Sequence, residues 1–263
     1  MHSTASDGEC TPADVAARAR SANLDSIALT DHDTVAGVAA ARFAGAALGL
    51  DVVAGCEFSV KARWGELHLL SYFLPLDSER LEEFLSGQRE ARRARAVEMV
   101  RRLEVAGAPI SFEAVDEVAG SASIGRPHVA RVLVDAGHAT SRQGAFDRWI
   151  GYRRPGFVAK KLPAVAAVAR LVTELGGVSV AAHLGSRGTR VVVQELSAAG
   201  VDGIEVLHPS HDDATAQELD RLADRFDMLR SGGSDWHGPS AEIDRATLGD
   251  MDVPAVWLDR IRE

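Results

Sequence analysis

Short apolar runs that stop abruptly in polar, chemistry-bearing residues recur along this chain. Ser26-Ile27-Ala28-Leu29 ends in Thr30-Asp31-His32-Asp33, and Asp51-Val52-Val53-Ala54-Gly55 ends in Cys56-Glu57. Glu66-Leu67-His68-Leu69-Leu70, Val178-Ser179-Val180-Ala181-Ala182-His183 and the stretch from Leu229 through Asp235 to His237 follow the same pattern. Runs rich in branched residues predict buried strands, and strand ends are where α/β folds keep their chemistry. The repetition points to one shared site.

Between these runs lie helical patterns with recognisable ends. Thr11-Pro12 opens a helix through Ala22, with Thr11 as N-cap and proline in the first turn. A second helix, about Val35 to Leu48, closes at Gly49. The strand to Glu57 is followed by a hairpin-like pair, Phe58 to Ala62 and Leu67 to Phe73, joined through Trp64-Gly65. Strand and helix in alternation predict parallel βα units. From about residue 77 to 157 the pattern becomes all-helical, starting with an arginine-rich stretch between Leu81 and Ala106. The βα alternation then resumes, with helices over Pro163–Leu175, Val191–Ala199 and Ala214–Phe226 and a strand over Gly203–Leu207. Residues 1–76 and 158–263 are therefore expected to form one barrel-sized domain, interrupted by a helical insertion at 77–157 that caps the substrate.

A length of 263 residues suits a large core. The net charge of −9 disfavours a protein that clamps long nucleic acid by overall charge. Cys10 and Cys56 cannot make a disulfide framework, and no apolar run approaches the roughly 20 residues of a membrane helix. The expectation is a soluble cytoplasmic protein with no membrane partner.

The polar residues at the strand ends form a set: His2, Asp7, His32, Glu57, His68, His183, Asp235 and His237. Imidazoles mixed with carboxylates suit zinc, manganese or iron better than calcium or magnesium. Eight donors exceed what one ion can use, so two or three divalent ions are implied.

The segments His2–Gly8, Thr30–Gly37, Gly55-Cys56-Glu57, Gly125-Arg126-Pro127-His128, Ala182-His183 and Gly233–His237 resemble the PHP (polymerase and histidinol phosphatase) superfamily. The chain looks most like its TrpH-type phosphoesterases, which include 3',5'-nucleotide bisphosphate phosphatases that also degrade RNA from the 5' end. The resemblance implies an α/β fold, a distorted (β/α)7 barrel with a trinuclear centre. One ion would take His2 and Asp235, a second Asp7, His32 and His237, and a third His68 and His183. Glu57 would bridge the first and third, and Asp31 would orient an imidazole. The family motif reads His-x-His at the end of the first strand, and Met1 stands at its middle position here. The first strand is therefore expected to be truncated, with the natural start upstream and the first ion short of a ligand.

Paired ions polarise a phosphoryl group and activate water for in-line attack through a bridging hydroxide, and the developing charge calls for cations. Arg126, Lys160, Arg187 and His208 are the candidate substrate-binding residues, with His208 and Asp235 as the catalytic pair and His208 placed to protonate a leaving oxygen. The expected substrate is a small phosphorylated nucleotide, a 3',5'-bisphosphate, with short RNA as a further partner. Alternatives are another phosphate such as histidinol phosphate or a cyclic ribose phosphate, or a non-catalytic metal-binding regulatory domain. The arginines from Arg89 to Arg102 are expected to form a solvated helix face, and both cysteines to be structural thiols.

Overall fold

The computed structural model describes residues 1–239 and 247–263. Helix α1 (Pro12–Ser21) begins where Thr11 accepts the Asp14 amide on its side chain, and Pro12 fills a first-turn position that needs no amide. Strand β1 (Ser26–Leu29) and helix α2 (Val38–Leu48) follow, and α2 closes at Gly49 with φ at 67°. Strand β2 (Asp51–Ala62) is continuous, which corrects the expectation of a strand to Glu57 and a separate hairpin arm. The reason is visible in its side chains: Glu57 is buried like its neighbours, and Phe58, Val60 and Ala62 carry the buried run onward. Strand β3 (Gly65–Tyr72) turns straight back along it.

The next segment is helical: α3 (Glu79–Val105), α4 (Phe112–Ala119), α5 (Arg126–Asp135), and α6 (Arg142–Ala145) running into a π-helical turn at Phe146–Ile150. Then come α7 (Val165–Glu174), β4 (Val178–Ala181), α8 (Arg190–Ala198), β5 (Gly203–Leu207), α9 (Asp213–Arg225), β6 (Leu229–Gly232) and α10 (Ala255–Arg262). Helix α10 lies beyond the elements expected from sequence.

The fold is α/β, with six strands among the described residues in the order β1-β2-β3-β4-β5-β6. The sheet is mixed rather than all-parallel, because β3 runs against both β2 and β4. The two-residue connection Arg63-Trp64 between β2 and β3 permits only an antiparallel return. On either side the βα units are parallel: β1 with β2, β4 with β5, β5 with β6.

Edge strands β1 and β6 line one cavity of about 530 Å³, with Ile27 and Ala28 on one wall and Ser231 and Gly232 on the other. Met1 and His2 bridge it at one end. The Thr30 amide donates to the Met1 carbonyl, and the His2 amide donates to the Trp236 carbonyl, both at 2.9 Å.

Two cores meet on α3. Leu81 and Leu85 pack with Phe58, Leu69 and Val172 against the sheet, whereas Ala96, Met99 and Leu103 pack with Val115, Leu133 and Ile150 inside the helical segment. One long helix thus fixes the helical segment to the sheet, because pulling it away would expose both apolar sets to water. Among the described residues no helix is long and apolar enough to cross a membrane.

Candidate metal centre

The site starts at the tight loop Ser3–Gly8. The amides of Ser6 and Gly8 both donate to the Ser3 carbonyl, and a Cβ on Gly8 would sit 2.6 Å from the His2 carbonyl. Only glycine permits that approach. Asp31, fully buried, anchors the loop by accepting from the Ser3 amide, the Ser3 hydroxyl and the Ser6 hydroxyl, each at 2.7 Å. This corrects its expected role: Asp31 reaches an imidazole only through Ser6, whose Oγ lies 3.4 Å from His2 Nδ1.

At the centre stands Glu57. His68 Nδ1 is 2.6 Å from Oε1 and His183 Nε2 3.3 Å, while His2 Nε2 is 2.9 Å and His32 Nδ1 3.8 Å from Oε2. Asp7 lies 3.7 to 3.9 Å from the nitrogens of His2, His32 and His237. Asp235 Oδ1 is 3.0 Å from His2 Nε2. All eight residues singled out in the sequence are therefore brought together. Three groups have donor atoms mutually within 4.8 Å: His2, Asp7, His32 and His237; His32, Glu57 and His68; His2, Glu57 and Asp235. His2 and His32 each serve two groups, so the donors interlock more than the division drawn from the resemblance. His183 reaches the cluster through Glu57.

Burial opposes ionisation of Glu57, but the imidazoles of His32, His68, His183 and His2 outweigh it and hold the carboxyl well below the usual range. Burial likewise works against charge on His183, yet Glu57 prevails and its pKa is pushed up to about 9. For His32 burial outweighs the carboxylates of Glu57 and Asp7 and lowers its pKa well below the usual value, and its buried Nδ1 has no hydrogen-bond partner. A buried ring nitrogen with no hydrogen-bond partner beside carboxylates is a position that a bound cation would satisfy. The donor set fits divalent metal ions.

Three residues at this site adopt left-handed backbone: Asp33 (φ 50°), His183 (31°) and Asp235 (50°). Such conformations cost energy for non-glycine residues and persist where the surroundings over-determine them.

His208, at the end of β5, has its Nε2 3.7 Å from Asp235 Oδ2. Its Nδ1 accepts from the Ser210 amide at 3.1 Å and lies 2.7 Å from the Ser210 hydroxyl. With Nδ1 accepting that bond, Nε2 carries the ring's N–H and aims it at the cluster.

A cationic wall flanks the imidazoles. Lys160 Nζ is 3.1 Å from Ser59 Oγ and ion-pairs with Glu66. Arg126, at the start of α5, lies over the Phe146 ring, and burial pulls its pKa down. Arg187 sits at the exposed rim, its Nη1 3.4 Å from the Glu66 carbonyl. Two members were missed in the sequence. Arg92 and Arg95 are buried, so the expected solvated face holds only for Arg89, Arg93, Arg101 and Arg102, which pair with Glu82, Asp116 and Glu98. The signal was available: Arg92 falls on the same helical stripe as Leu85, Ala96, Met99 and Leu103. Arg95 has its pKa pushed down to about 10 by burial and by the like charge of Arg126. Cys56 is fully buried and its thiol is pushed up by burial, which suits a structural role.

Residues 1–114 match the PHP domain family. A 5'-3' exoribonuclease of Haemophilus influenzae is 30% identical over 97% of this chain and 96% of its own length. A 3',5'-nucleoside bisphosphate phosphatase of Chromobacterium violaceum is 33% identical over 91% of this chain and 86% of its own. Among solved structures, an amidohydrolase from Chromobacterium violaceum with bound sulfate superposes with a TM-score of 0.87 at 29% identity, covering 99% of this chain and 94% of that one.

Proposed function

The chain belongs to the PHP domain family of metal-dependent phosphoesterases, and on that footing we propose that it removes phosphate from a small nucleotide carrying phosphates at both the 3' and 5' positions, with short 5'-phosphorylated RNA as a second substrate. The observation that carries this reading is the juxtaposition of an imidazole–carboxylate cluster with a cationic wall. One half suits a reacting phosphoryl group and the other a second, non-reacting phosphate.

Two or three ions would be held by His2, Asp7, His32, Glu57, His68, His183, Asp235 and His237, with manganese, zinc or iron the types that this donor set favours. Bound ions of this kind supply Lewis acidity toward phosphoryl oxygen and lower the pKa of water. The chain's own residues do the rest. Glu57 holds four imidazoles at fixed separation, so the ligands are organised before any ion arrives. His208 presents its Nε2 proton for the leaving oxygen, and Asp235 lies close enough to keep that ring oriented. Lys160, Arg95 and Arg126 hold anionic oxygens away from water, and Arg187 guides the substrate at the rim.

The helical segment at 77–157 acts in this reading as a cap, since it supplies Arg95 and Arg126. The finer architecture in this reading is of the distorted (β/α)7 barrel type, with the six strands β1–β6 around its wall, a reading supported by β1 and β6 facing one cavity across the Met1-His2 bridge.

Phosphate release from adenosine 3',5'-bisphosphate, histidinol phosphate, a cyclic ribose phosphate and short 5'-phosphorylated RNA, measured after loading with manganese, tests the proposal. Highest kcat/KM on the bisphosphate is expected. Preference for histidinol phosphate or the cyclic ester overturns the substrate assignment, and no release from a metal-loaded protein overturns the catalytic one.

A further inference from the structure

Glu66 and His68 are two residues apart on β3, so their side chains leave the same face of the strand. His68 points Nδ1 inward, 2.6 Å from Glu57, and Nε2 outward, 3.3 Å from Glu66 Oε1. The same Glu66 oxygen takes the Lys160 ammonium, which also reaches Ser59 Oγ, and the Glu66 carbonyl accepts from Arg187. A side chain near the rim is thereby held at both ends.

A neutral imidazole has one N–H and one lone pair. Both ring nitrogens face carboxylates, Glu57 at 2.6 Å from Nδ1 and Glu66 at 3.3 Å from Nε2; with Nδ1 turned to an ion in place of its proton, the N–H that remains is on Nε2, facing Glu66. We propose that Glu66 is a positioning residue: it accepts the Nε2 proton of His68 and so fixes the tautomer and ring angle in which His68 meets an ion, while Lys160 keeps Glu66 in place. The Lys160–Glu66–His68 chain thus links the cationic wall to the metal centre. The inference rests on the metal-centre reading above. Carboxylates that accept the outer N–H of a ligating histidine raise metal affinity roughly 10- to 100-fold.

Metal-free wild-type, Glu66→Ala and Glu66→Gln proteins, checked for equal fold by circular dichroism, are titrated with manganese while free ion is counted by electron paramagnetic resonance. The expected result is roughly 10- to 100-fold weaker binding of one ion in Glu66→Ala. Glu66→Gln, which retains an oxygen to accept from Nε2–H, should recover most of that loss. Wild-type affinity and stoichiometry in Glu66→Ala overturn the inference alone, as does a Gln variant as weak as the Ala variant. A wild-type protein that takes up no manganese overturns the metal-centre reading, and this inference falls with it.

Discussion

Arg92 Nε lies 2.6 Å from Asp33 Oδ2, and both side chains are buried where α3 passes the end of β1. The same guanidinium donates to Ser59 Oγ and to the Ile124 carbonyl, and Asp33 Oδ1 accepts the Ser59 amide. One pair thereby ties β1, β2, α3 and the approach to α5 together. Removing one partner leaves a buried charge uncompensated, so Asp33→Asn should cost about 3–5 kcal/mol in urea unfolding. Adding Arg92→Met should return part of that loss. A double variant less stable than the sum of the single changes contradicts this account.

Glu57→Gln keeps the volume of the side chain and removes the charge around which four imidazoles are arranged. Elemental analysis should find about one ion per chain fewer than in the wild type, because a neutral amide is a poor ligand for a hard cation. Undiminished metal content would remove Glu57 from the ligand set.

His208→Asn should leave bound metal and thermal midpoint unchanged and lower kcat by roughly 10²- to 10⁴-fold, the span of general acid catalysis. The loss should shrink with an aryl phosphate, whose leaving oxygen needs no proton. An equal loss on both substrates would place His208 in binding rather than proton transfer.

Ions require neutral imidazoles, and His183 in the metal-free protein keeps its proton until about pH 9. Ion binding at pH 7.5 should therefore release protons, seen in calorimetry as a heat that depends on the buffer. Affinity should rise with pH toward 9, by up to about tenfold per pH unit from this group alone. The stability of the metal-free fold runs the other way. A histidine whose pKa is raised on folding contributes fully below its unfolded value near 6.5 and loses that contribution as pH climbs through about 9.

Arg95, Arg126 and Lys160 crowd positive charge into a partly desolvated wall. Sulfate should raise the thermal midpoint of the wild-type protein at constant ionic strength, and Arg95→Met should reduce that rise by relieving the repulsion that the anion otherwise screens. An identical sulfate response in both proteins would exclude Arg95 from anion binding.

Much of the site was legible because strand ends announce themselves: an apolar run with an abrupt His, Asp or Glu leaves that side chain at the sheet margin. His32, His183 and Asp235 were found that way, and so was Glu57, although β2 runs on past it to Ala62. Glu66, Ser59 and Glu205 were not, since a polar residue inside a strand reads as one that faces solvent. Glu205 is buried and accepts the His183 amide at 2.7 Å, a bond fixed only by the meeting of β4 and β5. The antiparallel course of β3 was foreshadowed by Trp64-Gly65, but the merger of two predicted pieces into β2 depended on burying Glu57 among imidazoles that come from distant positions in the chain.

Two of the three donor groups join His2 near the start of the chain to Asp235 or His237 near its end, whereas His32, Glu57 and His68 lie within one early stretch. Cation capture by the two groups that need Asp235 or His237 is therefore a late event in biosynthesis, after the last strand has docked. For those two groups the two ends of the chain must meet first, with acidic and imidazole side chains already forced together, before the charge they were gathered to hold can relieve them.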